Sequence, residues 1–382
     1  MRVTETVKKF CFFPSTMANI RIKTWGCTAN QDNEAIMAGF LLQEGHSLVK
    51  LDEEADLFIF NTCTVKGVTQ NKIVDELQSL RKDFPEKKIL ISGCMAGAQE
   101  AFLKKLHPNA SFVNTMHITK IPDAVERILH GEIVTLTKKR YENKANLPKL
   151  YLDKKIATIQ ISQGCADACY FCLTKLSQGF IKSFPLENIK AEVDNAVKKG
   201  IKTIYLTSQD NGAYGLDKEQ QSQLVPLLKE IIDIPRDFKV RVGMANPRHL
   251  IPLQHELLEV YKNKKIMKFL HIPAQSGSNK VLKEMNRRHT VEEFKTLVQT
   301  FRKDIKNLTL STDIICGYPT EEERDFQETL SFIKEIKPEV LNISKFAPRP
   351  KTKAAQMKQL PSQEIKRRTK ILTELFQELK KD

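Results

Sequence analysis

From Ile20 onward, short apolar runs alternate with segments whose apolar residues recur at helical spacing. Ile20–Trp25 reads as a strand, and Leu57–Phe60 and Lys88–Ser92 read as buried strands. After the first comes a helical pattern carrying Ile36, Phe40 and Leu41, stopped near Gly45. Runs at Ile156–Ile161, Thr203–Thr207, Lys239–Met244, Lys268–Ile272, Leu308–Ile315 and Val340–Phe346 predict six further strands with helices between them. One helix begins near Leu186, places Ile189, Val193 and Val197 on one face, and stops at Gly200. Another is predicted to open on a Thr320–Glu323 capping box and to bury Phe326, Leu330 and Ile333. The alternation predicts an α/β protein, an N-terminal doubly wound domain followed by a partial (β/α)6 barrel.

The boundaries that follow are an extension at 1–19 and an N-terminal domain at 20–130. A connector at 131–153 carries Lys138-Lys139-Arg140 and Pro148; the barrel covers 154–360, and a basic amphipathic helix covers 361–382. Met17 offers an alternative start to Met1.

Composition changes this picture little. The 382 residues are 41% hydrophobic and 28% charged, ordinary for a globular protein. No run of about 18 apolar residues is present to span a membrane. The Phe10–Phe13 patch ends at Pro14 and is shorter than a signal-peptide core of roughly 7–15 residues. A cytoplasmic protein without a membrane partner is expected. Charge matters more: 61 Lys and Arg against 46 Asp and Glu leave +15, which favours a polyanionic partner. Aromatics at 7%, with one Trp, give no sign of an extended base-stacking platform.

The eight cysteines carry most of the chemistry. Cys27, Cys63 and Cys94 each follow a predicted strand. Ligand sites in parallel sheets lie beyond the carboxyl ends of strands, so the three can converge. Cys165-Ala-Asp-Ala-Cys169-Tyr-Phe-Cys172 is a C-x3-C-x2-C loop directly after the first barrel strand. Three thiolates on one short loop can hold three irons of a 4Fe–4S cluster and leave the fourth iron open. Structural zinc prefers four closed ligands, usually in paired C-x2-C knuckles, and suits this loop less. Cys316 follows an apolar strand and reads as a buried small residue, while Cys11 lies in the extension and has no assigned role.

The cysteine loop with a barrel behind it resembles the radical S-adenosylmethionine (SAM) superfamily. Thr24-Trp25-Gly26-Cys27, Asn61-Thr62-Cys63 and Ser92-Gly93-Cys94 resemble one subgroup, the methylthiotransferases. Ser208–Gly215, His271–Ser278, Asp313–Glu321 and Phe346–Pro350 match further stretches in order, so the likeness covers about residues 20–375. Thr174-Lys175-Leu176 and Lys182-Ser183-Phe184-Pro185 resemble the archaeal and eukaryotic branch, which modifies N6-threonylcarbamoyladenosine beside the anticodon of tRNA. The resemblance implies two 4Fe–4S clusters, one on Cys27, Cys63 and Cys94 and one on Cys165, Cys169 and Cys172. By the same likeness the barrel cluster reduces SAM to a radical that takes the hydrogen from adenine carbon-2. The first cluster would then supply sulfur, and a second SAM the methyl group. An unactivated aromatic C–H cannot be deprotonated near neutral pH, so a cofactor must carry that step. Implied partners are tRNA and a flavodoxin- or ferredoxin-like electron donor; the sulfur donor, the tRNA set and the oligomeric state are not implied.

Gln209, Gln275, Ser276 and Asp313 lie at or just after barrel strand ends, where SAM polar groups should bind; capping or loop roles are the alternative. Arg287 and Arg288 read as partners of a SAM carboxylate or tRNA phosphate, or as an exposed basic pair. His249 and His271 show no metal-type spacing. The family usually ends in a β-barrel RNA-binding TRAM domain, and the sequence is expected to lack one. Residues 349–382, with ten Lys and Arg against four Asp and Glu, are expected to replace it in part or to form a solvated helix face. The residues in question are Arg349, Lys351, Lys353, Lys358, Lys366, Arg367, Arg368 and Lys370. Gln178 stands where the branch often has Arg, and Lys351 where Gly is usual. Alternative functions are methylthiolation of a ribosomal-protein aspartate, or a catalytically idle tRNA-binding relative.

Overall fold

The computed structural model describes residues 17–64 and 67–381. Cys11 and residues 1–16 of the expected extension lie outside the described residues. No helix among the described residues is long and apolar enough to cross a membrane.

The first domain is a parallel sheet. Its strands are β1 (Asn19–Thr24), β2 (Ser47–Leu48), β3 (Leu57–Thr62), β4 (Lys88–Gly93), β5 (Ser111–Asn114) and β6 (Thr135–Leu136), paired in the order β2-β1-β3-β4-β5-β6. Leu57 and Ile59 pack into one apolar cluster with Ile36, Leu41 and Leu90, while Phe58 and Phe60 pack into another with Leu77, Ile91 and Phe112. Burial on both faces is why this strand reads as an unbroken apolar run rather than as an alternation. The chain switches direction across the sheet between β1 and β3, and the ends of β1, β3 and β4 deliver the three N-terminal cysteines at that switch. β6 lies within the segment expected to be a connector, so the sheet extends further than the sequence pattern indicated. Two residues of edge pairing are too short to leave a periodic signal.

The second domain begins with β7 (Ile156–Gln160) and a short antiparallel clasp, β8 (Ser162–Gln163) with β9 (Lys182–Ser183). The strands that follow are β10 (Thr203–Thr207), β11 (Lys239–Val242), β12 (Phe269–His271), β13 (Thr309–Cys316) and, at the far edge, β14 (Val340–Lys345). With β7 they make six parallel strands in chain order, as two three-stranded sheets joined by a bridge at Val240–Ile266. This is the predicted partial barrel. Helix Thr28–Gln43 of the first domain packs on β7, and the C-terminal helix Ser362–Glu378 packs on β14.

The capping box at the helix preceding β14 differs from the predicted one. Helix Glu323–Ile336 is capped by Glu322 and Asp325, not by Thr320 and Glu323. The start moves because Glu321 is held outside the helix, where its Oε2 accepts from Gly317 N at 2.8 Å and from Arg368 at 2.8 Å. That ion pair also ties down part of the basic C-terminal helix. Arg368 is buried and also donates to the Glu321 carbonyl and to Glu364, while Arg367 pairs with Glu323 and Glu364. The buried charge of Arg368 anchors the helix to the barrel, while the Arg367 pairs with Glu323 and Glu364 lie at the surface. Leu372 beneath them is fully buried.

The two domains meet through buried charge. Lys149 donates to Asp32 of the first domain at 2.5 Å and to Glu192 of the barrel, with all three side chains almost wholly buried. Burial works against the lysine charge, but the two carboxylates outweigh it and hold Lys149 above the ordinary lysine range. Gln160 of β7 adds bonds to Asp32 Oδ2 at 2.8 Å and Asn33 Oδ1 at 2.9 Å. Removing one member of such a set leaves uncompensated buried charge. Lys149→Met should therefore cost about 3–5 kcal/mol. Adding Asp32→Asn and Glu192→Gln to it should recover most of the loss, as read from the midpoints of urea unfolding.

Candidate functional site

The N-terminal trio is built from strand ends. Cys27 is exposed, whereas Cys63 and Cys94 are buried. Gly26 takes φ +115, and a Cβ there would lie 2.6 Å from Cys63 Cβ and 2.7 Å from its Sγ, so only glycine lets the β1 and β3 ends come together. Asn30 braces this corner, donating to Trp25 O at 2.7 Å and Thr62 O at 2.9 Å, while Asn61 donates to Asn30 O at 2.7 Å. Burial, then the neighbouring Cys27 and Cys63, push the Cys94 thiol well above its usual range. The three sulfurs therefore share one electrostatic environment.

The second trio sits on a loop closed at its base by the β8–β9 clasp. Gly164 takes φ +84, and any side chain there would collide with the Phe180 carbonyl. Cys165 rises in pKa through burial and the charge of Asp210; Cys169 rises through burial against the pull of Arg287. Arg287 NH1 lies 3.6 Å from Cys169 Sγ and NH2 donates to Pro273 O at 2.9 Å, so this arginine belongs to the loop rather than to an exposed basic pair. Asp167, inside the loop, accepts from Asn246 and Arg248 at 2.5 Å each. Asp210 in turn accepts from Asn246 N at 2.9 Å and pairs with His249 at 2.7 Å. Asp167, Asp210 and His249 offer ligand atoms within 4.8 Å of one another. The carboxylate oxygens are already engaged by Arg248, Asn246 and Gly212, which makes the group a brace for the loop. No sequence spacing announces this brace, because its members come from three separate strand ends.

A cavity of about 540 Å³ opens beside the cysteine loop where the two domains meet. Phe171 and Cys172 line it from the loop, with Thr174 just after it, Thr64 and Val68 from the first domain, Lys345 from the end of β14, and Phe346 and Arg349 from beyond it. The Arg349 guanidinium is mostly buried, feels the charges of Cys63 and Cys172, and donates to Gln70 at 3.2 Å. Of the four residues expected to meet SAM, Gln275 and Asp313 line the cavity. Gln275 holds a left-handed φ of +76, fixed by backbone bonds to Asp313 O and from Ile315 N. Asp313 pairs with His271 at 2.7 Å. Gln209 instead accepts from Gly164 N at 2.9 Å, and Ser276 is buried, accepting from Ser278 N at 3.1 Å. Cys316 is buried away from both trios, its thiol pushed up to about 12 by burial and then by Glu321, as its apolar strand suggested.

Residues 19–115 match a family described as uncharacterized protein family UPF0004, and residues 159–333 match the radical SAM superfamily. A probable threonylcarbamoyladenosine tRNA methylthiotransferase of Methanothermobacter thermautotrophicus is 37% identical over 93% of this chain and 83% of its own length. This chain belongs to the threonylcarbamoyladenosine tRNA methylthiotransferase family. The human threonylcarbamoyladenosine tRNA methylthiotransferase is 35% identical over 94% of this chain, which spans 62% of the human protein. Among solved structures, the radical SAM methyltransferase TsrM from Kitasatospora setae aligns with a TM-score of 0.65 at 13% identity, covering 89% of this chain and 74% of that one. OxsB aligns with a TM-score of 0.61 at 12% identity, over 95% and 56%. At such identities these two show the shared fold, a doubly wound domain ahead of a radical SAM barrel.

The donor sets of this methylthiotransferase fit polynuclear iron better than a single ion. Neither cysteine trio closes to within 4.8 Å on all sides, although each trio's thiols interact. Around one zinc, bonds of about 2.3 Å would draw the sulfurs to roughly 3.8 Å from each other. A cubane spreads them over separate irons. Gly26→Ala should displace Cys63 and leave the loop trio untouched. Anaerobically reconstituted protein should then fall from about eight irons per chain to about four, by 4Fe–4S stoichiometry.

Proposed function

We propose that this chain methylthiolates N6-threonylcarbamoyladenosine next to the anticodon of tRNA, giving the 2-methylthio derivative. Cys27, Cys63 and Cys94 hold one 4Fe–4S cluster; Cys165, Cys169 and Cys172 hold the other and leave its open iron to SAM. The observation that carries the reading is one cavity walled by both domains, with Cys172 of the loop trio on one side and Thr64, the residue after Cys63, on the other. When bound, the clusters and SAM supply the radical hydrogen abstraction, the sulfur and the methyl group. The chain's own residues position and enclose. Phe171, Val68 and Phe346 give the cavity apolar walls for a base, and Gln275 and Asp313 offer polar groups on the barrel side. Electrons come from a flavodoxin- or ferredoxin-like partner. All seven described cysteines are unbridged, in keeping with a reducing, cytoplasmic compartment.

The tRNA path follows the cavity rim rather than the C-terminal helix. Lys345 lines the cavity, Lys351 and Lys353 follow the lining residue Arg349 in the chain, and all three are exposed and have no carboxylate partner among the described residues. Lys353 also lies 4.1 Å from the centre of the Tyr170 ring, within the cysteine loop. Lys351 takes φ +66, a conformation that favours glycine, which accounts for the residue usual at this position in the family.

Two experiments test this reading. Cys169→Ala should abolish SAM cleavage, while Cys63→Ala should still release 5′-deoxyadenosine yet form no methylthio product by mass spectrometry of tRNA. A Cys63→Ala chain that keeps its barrel cluster but cannot cleave SAM would refute the division of labour. For RNA, replacing Lys345, Lys351 and Lys353 with Gln should weaken tRNA binding and flatten its log–log salt slope by roughly 0.7–0.9 for each phosphate no longer neutralised. Lys366→Gln with Lys370→Gln should change both far less; the reverse ranking would return tRNA capture to the helix.

A further inference from the structure

One short helix touches both trios. Thr174–Gln178 follows the cysteine loop directly. At its start, Thr174 N donates to Cys172 Sγ at 3.3 Å, and the Thr174 hydroxyl lies 3.0 Å from the same sulfur. At its end, Gln178 Nε2 donates to Cys94 Sγ at 3.0 Å, across the domain boundary. The orientation of that amide follows from the ligand role of Cys94: a ligating thiolate can only accept, so the amide N–H faces the sulfur, and the Oε1 at its other end accepts from the Thr115 hydroxyl at 2.8 Å. Gln178 is buried, and the close packing beneath it depends on Gly97, where a Cβ would stand 3.0 Å from Ser177 O.

We propose that Gln178 is a positioning residue through which the barrel controls the N-terminal cluster, with the Thr174–Gln178 helix fixing the distance between the two cluster sites. This rests on the ligand assignment above. A hydrogen bond to a ligating sulfur stabilises negative charge there and raises the reduction potential of the cluster it serves. Gln178 does so with a neutral donor, so Cys94 gains stabilisation without a further cation beside Arg349. Because the donor comes from the other domain, the N-terminal cluster has its proper potential only when the cysteine loop is seated. Thr174 gives the barrel cluster the corresponding support through Cys172.

The test uses the full chain, reconstituted anaerobically, with each cluster's reduction followed by potentiometric EPR. Triple Cys→Ala variants of one trio isolate the signal of the other. Gln178→Met should make the N-terminal cluster harder to reduce and leave the barrel cluster unchanged. Thr174→Val should do the opposite, and Gln178→Arg, which keeps a donor, should reverse the Gln178→Met shift. Thr115→Val, which frees the amide without touching the sulfur, should give a smaller shift in the same direction and decides the case if Gln178→Met loses iron. Unchanged potentials in iron-replete Gln178→Met or Thr115→Val, or equal shifts of both clusters, would overturn the inference. Wild-type protein lacking one of the two clusters would instead overturn the ligand assignment on which it rests.

Discussion

A buried lysine held between carboxylates of both domains governs how the two halves of this protein sit on one another. Lys149 is held between Asp32 and Glu192, one carboxylate from each domain, with Gln160 completing the polar seam. Buried ion sets gain little net stability over apolar packing, but they tolerate only one geometry. Asp32 lies in the helix that begins immediately after Cys27, so whatever fixes Asp32 also fixes the first cysteine relative to the barrel. The approach of the Thr28 and Thr207 hydroxyls, at 2.6 Å, repeats the lock closer to the site. Everything the cavity offers depends on that registration, since its walls come from both domains.

Within this frame, backbone geometry sets where the sulfurs lie and side-chain networks set what they experience. Glycines ahead of the cysteines allow close approach of strand ends, and the Asp167–Arg248 pair ties the cysteine loop to the segment after β11. Arg349 sits where it is felt by a sulfur from each trio. A cation between two sites that gather thiolates lowers the cost of placing both near one another.

Much of this was legible in the sequence. The runs ahead of Cys63 and Cys94, Leu57–Phe60 and Ile89–Ile91, are unbroken and apolar because burial on both faces of a parallel sheet leaves that signature, while the loop cysteines stood out by their C-x3-C-x2-C spacing. The less legible features share a cause: each depends on a partner far away in the chain. Glu321 displaces the expected capping box because Arg368 is near it only in the fold. The C-terminal helix looks like a phosphate-binding face by charge count, yet two of its arginines are neutralised by Glu323, Glu321 and Glu364. Gln209 and Ser276 stand at strand ends as expected, but loop N–H groups engage them. Gln178 was visible only as a departure from the family, and its bond to Cys94 crosses two domains.

The burial of the thiols also bears on the order of events in the life of the chain. Cys94, Cys165 and Cys169 all keep their protons more tightly than a free cysteine does. Metal binds the thiolate, so those three protons leave as iron arrives. Such a polypeptide can complete its hydrophobic cores and its lysine lock first and receive iron and sulfide afterwards, giving up protons in exchange. Cluster delivery becomes a maturation step acting on a finished scaffold, and an assembly factor would meet folded protein rather than a nascent chain.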